Sequence, residues 1–129
     1  MTKILVVDDE DSARYLLEET LKPEGFDVIT ANNGTLALEQ INQEQPDLIL
    51  LDLMMPALNG FQVLQEIRAD PTRKNLPVIV LTGESDPESE QTALRLGANY
   101  YVTKPWKRET LQAAVRITLR EAGVRRADK

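Results

Sequence analysis

Five polar residues stand at the ends of apolar segments, where their types and spacing could support chemistry. They are Asp8, Asp9, Asp52, Thr82 and Lys104. An aspartate that closes a run as apolar as residues 48–51 is costly to remove from water without a partner, so either the strand ends at Asp52 or a cation lies beside it. Three carboxylates that crowd together also repel one another unless positive charge is supplied. Lys104 can supply one charge, and a divalent cation can supply the rest.

The chemistry that such a set permits is the positioning and neutralisation of a phosphoryl group. Mg²⁺ takes one or two protein carboxylates, keeps several waters and completes its shell with phosphate oxygens. A lysine and a hydroxyl can bind the same oxygens. Phosphoryl transfer requires little from a protein beyond positioning and neutralising the phosphoryl group. A carboxylate can also be the nucleophile and become an aspartyl phosphate. Asp52 is the best candidate, because its strand should be central and should present it from a rigid apolar wall.

The apolar segments that carry these residues alternate with helical patterns along the chain. Five segments are predicted to be strands: residues 3–8, 26–31, 47–52, 76–82 and 99–104. Five βα units of this kind predict an α/β fold with a doubly wound, five-stranded parallel sheet covered by helices on both faces. In open α/β sheets, ligands bind beyond the carboxyl ends of the strands. The five polar residues should therefore converge on one edge of the sheet.

Five helices are expected between and after these strands. The first has an inward stripe at helical spacing and ends at Pro23 and Gly25; the stripe is Ala13, Leu16, Leu17, Thr20 and Leu21. The next three should run from Gly34 to about Gln43 with Asn32 or Asn33 as cap, from near Gly60 to just before Asp70, and from Asp86–Pro87 to Gly97. The fifth should start at Pro105, with Leu111, Ala114, Val115 and Leu119 inward.

The composition excludes several kinds of chemistry. The 129 residues include no cysteine and no histidine, which rules out disulfides, thiol catalysis, imidazole bases and a phosphohistidine on this chain. Any metal must be held by oxygen, which favours a hard cation such as Mg²⁺. No apolar run approaches the ~20 residues that a membrane span needs, and the N-terminal segment turns acidic where a signal peptide would still be apolar. The cytoplasm is the expected compartment.

Length and charge indicate one domain with an uneven charge distribution. The domain is expected to span residues 1–122, with residues 123–129 as a C-terminal tail or the stump of a linker. Residues 1–103 hold 7 Lys and Arg against 18 Asp and Glu, whereas residues 104–129 hold 8 against 3. The helix and tail that follow Trp106 contain no aromatic residue and no recognised nucleic-acid-binding motif, so direct binding to nucleic acid is not expected.

Four short motifs resemble, in order and spacing, the receiver domain of bacterial two-component response regulators. They are DDED at 8–11, LLDLMMPALNG at 50–60, LTG at 81–83 and YYVTKPW at 100–106. The resemblance covers residues 3 to about 122 and implies a flavodoxin-like (CheY-like) fold with strand order 2-1-3-4-5. It also implies a signalling phosphoacceptor rather than an enzyme. Its phosphoryl group would come from a phosphohistidine on a histidine kinase or histidine phosphotransfer protein.

The resemblance assigns roles around the phosphoacceptor, which would be Asp52. Asp9, Asp52 and the backbone carbonyl of Met54 are implied as direct Mg²⁺ ligands, and Asp8 as a ligand through water. Lys104 is implied as the lysine that binds the phosphoryl group.

The resemblance also assigns the parts of a switch. Thr82 is implied as the hydroxyl that turns toward the new phosphoryl oxygens, and Tyr101 as the aromatic that swings inward when that hydroxyl moves. The bond between Lys104 and Pro105 is a candidate for the cis form. The face formed by helix four, strand five and helix five is implied as the surface that meets a downstream partner.

Each assignment has a plain structural alternative. Asp8 and Asp9 could cap a helix, and Thr82 could be an ordinary strand residue. Tyr101 could be packing, and Lys104 a surface charge. The alternatives require a coincidence at four strand ends, so the functional interpretation is favoured.

Three other functions fit the sequence less well. A small phosphatase with an aspartate nucleophile usually has a second aspartate two residues later, where this chain has Met54. A phosphate-independent interaction module would keep the fold without binding Mg²⁺. A dinucleotide-binding domain is disfavoured, because no glycine-rich turn follows the first strand.

Several positions depart from the family pattern. Transcription factors with a winged-helix output typically open strand five with an aspartate pair that joins a salt-bridged dimer, and here those positions are Asn99 and Tyr100. At most a weak homodimer is expected. Charged residues that could still pair are Arg95, Arg116, Arg120, Glu88 and Glu90.

A second departure concerns the lifetime of a phosphoryl group. Met54 replaces the polar side chains that help position hydrolytic water in faster members, and Glu84 occupies the partner position after Thr82. A phosphoryl lifetime longer than that of the fast chemotaxis type is expected.

Overall fold

The computed structural model describes residues 1–83 and 87–123, which form one sheet of five parallel strands. The strands are β1 (Lys3–Val7), β2 (Asp27–Ala31), β3 (Leu48–Asp52), β4 (Val78–Thr82) and β5 (Tyr100–Thr103). Their order across the sheet is β2-β1-β3-β4-β5. The expected doubly wound α/β topology is therefore confirmed.

Five α-helices cover the sheet. They are α1 (Asp11–Leu21), α2 (Gly34–Glu44), α3 (Gly60–Ala69), α4 (Pro87–Arg95) and α5 (Arg108–Glu121), and a short 3₁₀ turn at Lys22–Glu24 follows α1. The expected helix start at Asp86, the position of Glu84 and the tail from residue 124 onward lie outside the described residues. In the part of the chain that the structure describes, no helix is both long and apolar enough to cross a membrane.

Two apolar clusters lie on opposite faces of the sheet. This explains why the sequences of its strands are nearly continuous apolar runs. Leu5 and Val7 belong to the cluster beneath α2, α3 and α4, whereas Ile4 and Val6 belong to the cluster beneath α1 and α5. Every residue of β3 is buried. Alternate side chains of a strand point to opposite faces, so a strand covered on both sides has no polar face.

Asparagine side chains cap the starts of α2 and α3. Asn33 caps α2 by accepting a hydrogen bond from the Leu36 amide at 2.8 Å, which decides between the two expected caps. Asn59 and Gln62 form a reciprocal capping box at the start of α3. These caps satisfy backbone amides that would otherwise lack partners at the helix N-termini.

Two expectations about helices were wrong. Leu16 is not inward: its side chain is 53% exposed, because it lies on the flank of α1 over an open groove beside Pro105 and Trp106 rather than over the sheet. Pro105 does not start α5, which begins at Arg108 with Lys107 as its N-cap. Residues 104–107 instead form a loop in which Trp106 packs against the apolar cluster beneath α1 and α5, and the helix can begin only after that contact.

Gly60 allows α3 to start directly against the end of β3. A Cβ at this position would lie 2.5 Å from the backbone oxygen of Asp52 and 2.6 Å from the Cα of Leu53. We expect Gly60→Ala to lower the free energy of unfolding by more than about 1 kcal/mol, because the overlap is with backbone that cannot rotate away. Urea denaturation measures this change.

Gly83→Ala is the matched control, because a Cβ at Gly83 would meet nothing within 4 Å. If the two variants unfolded at the same urea concentration, the close approach at Gly60 would not constrain the fold.

Candidate metal and phosphoryl site

The expected polar residues lie at one edge of the sheet, at the carboxyl ends of its strands. Asp52 is the last residue of β3 and Thr82 the last of β4, and Asp52 is in register with Leu81, the residue before Thr82. Val7, the last residue of β1, is in register with Leu51, so Asp8 follows β1 beside Asp52. Strands 1, 3, 4 and 5 thus each deliver one or more polar groups to this edge.

Three carboxylates form the centre of the site. One oxygen each from Asp8, Asp9 and Asp52 lies within 4.8 Å of the other two. Asp8 is 0% exposed and Asp52 is 4% exposed, whereas Asp9 is exposed. The cluster is therefore open to solvent on the side of Asp9 and closed by apolar residues on the other.

Lys104 is the cation of the site. Its Nζ lies 3.4 Å from Oδ2 of Asp8 and 3.4 Å from Oδ2 of Asp52. Burial would lower the pKa of Lys104, but the carboxylates of Asp52 and Asp8 outweigh burial and raise it. The lysine is therefore charged at neutral pH, and it balances only one of the three carboxylates.

The carboxylate of Asp52 is almost entirely buried. Burial raises the pKa of Asp52, and the negative charge of Asp8 raises it further. The Met54 amide, which donates to Oδ1 of Asp52 at 3.1 Å, and the ammonium of Lys104 act in the opposite direction. The Met54 side chain is 67% exposed, so it leaves the approach to Asp52 open to solvent.

Asp8 is tied to the start of α1 without capping it. Its Oδ1 accepts from the amide of Glu10 at 3.0 Å, and its backbone oxygen accepts from the guanidinium of Arg14 at 2.7 Å. The N-cap residue of α1 is Glu10, and no side chain forms a cap hydrogen bond there. The alternative in which Asp8 and Asp9 serve as helix caps therefore lacks the expected hydrogen bonds.

Thr82 is buried at the end of β4, with 1% of its surface exposed. Its hydroxyl donates to Oε2 of Glu90 on α4 at 3.5 Å, and the hydroxyl of Thr103 donates to the same oxygen at 3.3 Å. From the sequence, Glu90 was expected only as a residue that could pair with an arginine, and this contact was not predicted. No sequence pattern marks it, because the contact joins a helix to two strand ends.

Tyr101 lies in β5, and Pro105 directly follows Lys104 in the loop after that strand. Tyr101 is half-buried against the cluster beneath α2, α3 and α4, and its ring stacks on that of Tyr100 with centroids 5.9 Å apart. The peptide bond between Lys104 and Pro105 is cis. Tyr100 is exposed on β5, the edge strand of the sheet.

Asn99 is engaged within the chain. Its Oδ1 accepts from the Val78 amide at 2.9 Å and from Arg68 at 3.0 Å. Arg116 is also paired within the chain, with Glu24 at 2.7 Å. These two positions therefore already have partners inside the domain.

The donor set of the cluster fits a hard divalent cation. All its candidate ligands are carboxylate oxygens, and two of the three are buried beside a single ammonium. Hard cations such as Mg²⁺ select oxygen ligands, and the excess negative charge supplies the electrostatic attraction.

Comparisons with known proteins agree with this geometry. The family model of the response regulator receiver domain matches residues 4–116. The protein named "Probable transcriptional regulator ycf27" of Guillardia theta is 46% identical over 118 residues, which are 92% of this chain and 45% of that protein. The alkaline phosphatase synthesis transcriptional regulatory protein PhoP of Bacillus subtilis is 40% identical over 95% of this chain and 50% of its own length.

Solved structures show the same likeness. The chemotaxis protein CheY4 of Vibrio cholerae superposes with a TM-score of 0.87 at 34% identity, over 92% of this chain and 99% of that one. NtrX of Brucella abortus gives a TM-score of 0.89 at 33% identity, over 95% of this chain but 28% of its own. The chain spans about half the length of the curated relatives it matches. By its sequence, its strand order and its site, this chain belongs to the response regulator receiver domain family.

Proposed function

We propose that Asp52 accepts a phosphoryl group from a phosphohistidine on a partner protein in a Mg²⁺-dependent reaction, and that this modification switches one face of the domain. The observation that carries the proposal is the cluster of Asp8, Asp9 and Asp52 with Lys104 at the carboxyl edge of the sheet. The donor histidine must lie outside these 129 residues, because they contain no histidine. It would be a histidine kinase or a histidine phosphotransfer protein.

The covalent step needs little from the protein beyond alignment. An oxygen of Asp52 forms a bond to phosphorus while the bond from phosphorus to the imidazole nitrogen of the donor breaks, and the electron pair of that bond stays on the imidazole. The Met54 amide holds Oδ1 of Asp52 and fixes the plane of the carboxylate. The ammonium of Lys104 lies beside Oδ2 and can bind an oxygen of the arriving phosphoryl group.

Asp9, Asp52 and the backbone carbonyl of Met54 would hold the metal directly, and Asp8 would do so through water. When bound, Mg²⁺ supplies positive charge that neutralises the phosphoryl oxygens. Asp8 and Lys104 form an ion pair at 3.4 Å, which keeps the ammonium at the site.

The switch follows from the charge and the acceptor oxygens that phosphorylation adds. The hydroxyl of Thr82 turns from α4 toward the new phosphoryl oxygens, and Tyr101 moves inward as the hydroxyl leaves. The modification biases two arrangements that already exist in the unmodified domain. The face formed by α4, β5 and α5 then presents a different shape to a downstream partner.

We also propose the extent, the compartment, the output and the oligomeric state of the domain. Residues 1–122 form the receiver domain, which works in the cytoplasm, and the names of its relatives as transcriptional regulators support a regulatory output. Direct binding of this domain to nucleic acid is not part of the proposal. Any homodimer is weak, because Asn99 and Arg116 are engaged within the chain.

The lifetime of the phosphoryl group is expected to be long. The exposed Met54 side chain offers no group to position hydrolytic water, which supports a long-lived phosphoryl group.

The test is the stoichiometry of phosphorylation by acetyl phosphate. With Mg²⁺ we expect at most one phosphoryl group per chain by intact mass, and with EDTA we expect none. An aryl phosphate added in excess should not be turned over beyond one equivalent. Repeated turnover would contradict the proposal and favour a phosphatase, and equal phosphorylation with and without Mg²⁺ would remove the role of the metal.

A further inference from the structure

Glu90 of α4 joins two strand ends through a single oxygen. Its Oε2 accepts from the hydroxyl of Thr82 at 3.5 Å and from the hydroxyl of Thr103 at 3.3 Å. Thr82 and Thr103 are register partners at the carboxyl ends of β4 and β5. One carboxylate of the helix therefore bonds to both strands at the edge that carries the site.

The bond to Thr82 competes with any bond from Thr82 to a phosphoryl group. A hydroxyl carries a single proton, so it can donate to one acceptor at a time. Thr82 is 1% exposed, and a buried hydroxyl must find its partner within the protein. While its proton points at Glu90, the Thr82 hydroxyl is directed toward α4.

The charge of Glu90 strengthens this competition. Within residues 1–83 and 87–123, no lysine or arginine forms an ion pair with Glu90, and its carboxylate accepts from the two hydroxyls. A hydrogen bond to a charged acceptor is stronger than one to a neutral acceptor. The half-buried carboxylate thus favours the arrangement in which Thr82 faces the helix.

We infer that Glu90 is a positioning residue that holds the Thr82 hydroxyl in the unphosphorylated arrangement and so opposes the switch. The inference rests on the proposed function, because it requires Asp52 to take the phosphoryl group. When Thr82 turns to the phosphoryl oxygens, Glu90 keeps its bond to Thr103 but loses its hydrogen bond to the end of β4. Phosphorylation and the position of α4 are coupled through this one hydroxyl.

The test compares the binding of beryllofluoride, a phosphoryl mimic, to wild type and Glu90→Ala in saturating Mg²⁺, followed by fluorine NMR of the bound species. Glu90→Ala should bind the mimic roughly three- to tenfold more tightly, because one modest hydrogen bond no longer opposes the switch. Its affinity for Mg²⁺ alone should match that of wild type. Glu90→Gln, which keeps the size of the side chain, should change the affinity in the same direction by a smaller factor.

Two further variants separate this mechanism from a general effect of charge. Glu88→Ala removes an exposed carboxylate from the same first turn of α4, and its affinity for the mimic should equal that of wild type. In a Thr82→Val background, which lacks the hydroxyl, Glu90→Ala should have no further effect.

Unchanged or weaker binding in both Glu90 variants would overturn the inference and leave the proposed function standing. Tighter binding that persists in the Thr82→Val background would also overturn it, because the effect would then not pass through the hydroxyl. Failure of wild type to bind the mimic at Asp52 would instead remove the proposed function, and the inference with it.

Discussion

Replacing Lys104 by methionine is expected to lower the free energy of unfolding of the metal-free protein by about 3 kcal/mol. Two buried carboxylates, Asp8 and Asp52, lie 3.4 Å from its ammonium and would lose their cation. Removing one partner of a buried ion pair leaves an uncompensated charge, which is strongly destabilising. The same variant should bind Mg²⁺ about tenfold more tightly, since no ammonium would then share the carboxylates. Urea denaturation and calorimetric titration with Mg²⁺ measure the two effects.

Lys107→Met is the control, because Lys107 is an exposed lysine in the same loop. It should change neither quantity. If Lys104→Met were as stable as Lys107→Met without metal, Lys104 would not be neutralising the cluster.

Replacing Asp52 by asparagine should have the opposite effect on stability. At neutral pH we expect the metal-free variant to be more stable than wild type by about 2 kcal/mol, because the change removes a charge that is 4% exposed beside another buried carboxylate. The asparagine oxygen can still accept from the Met54 amide. Chemical denaturation of the two proteins in EDTA measures the difference.

The pH dependence of this difference follows from the pKa of Asp52. Burial raises that pKa in the folded protein, so the folded state binds the proton more tightly than the unfolded state does. Wild type is therefore most stable, with respect to this group, below the ordinary pKa of an aspartate, and it loses that stability as the pH rises through the raised value. The advantage of Asp52→Asn should be small in acid and grow toward neutral pH. An exposed control, Glu39→Gln, should show no such growth, and an Asp52 advantage independent of pH would contradict the argument.

Much of the fold follows from local patterns in the sequence. A strand buried on both faces has to be almost entirely apolar, and β3 and β4 are apolar at every position before their last residue. The polar residue at which such a run stops therefore marks the carboxyl end of a strand, which is why Asp52 and Thr82 could be located. Parallel topology then brings these ends together without any knowledge of the contacts between them.

The features that sequence reasoning missed depend on packing between distant segments. Leu16 fits the helical stripe of α1, but its side chain lines an open groove beside Trp106 and does not belong to the buried core. Pro105 fits a helix start, but Trp106 packs against the cluster beneath α1 and α5, and α5 begins only at Arg108. Glu90 looks like any acidic residue in the first turn of a helix until the ends of β4 and β5 are placed beside it.

The location of the phosphoryl group tests the central claim most directly. Wild type and Asp52→Asn are incubated with acetyl phosphate and Mg²⁺, and the modified peptide is identified by mass spectrometry. We expect one phosphoryl group on Asp52 in wild type and none anywhere in the variant. A group found on Asp8, Asp9 or any other residue of wild type, or full modification of the variant, would contradict it.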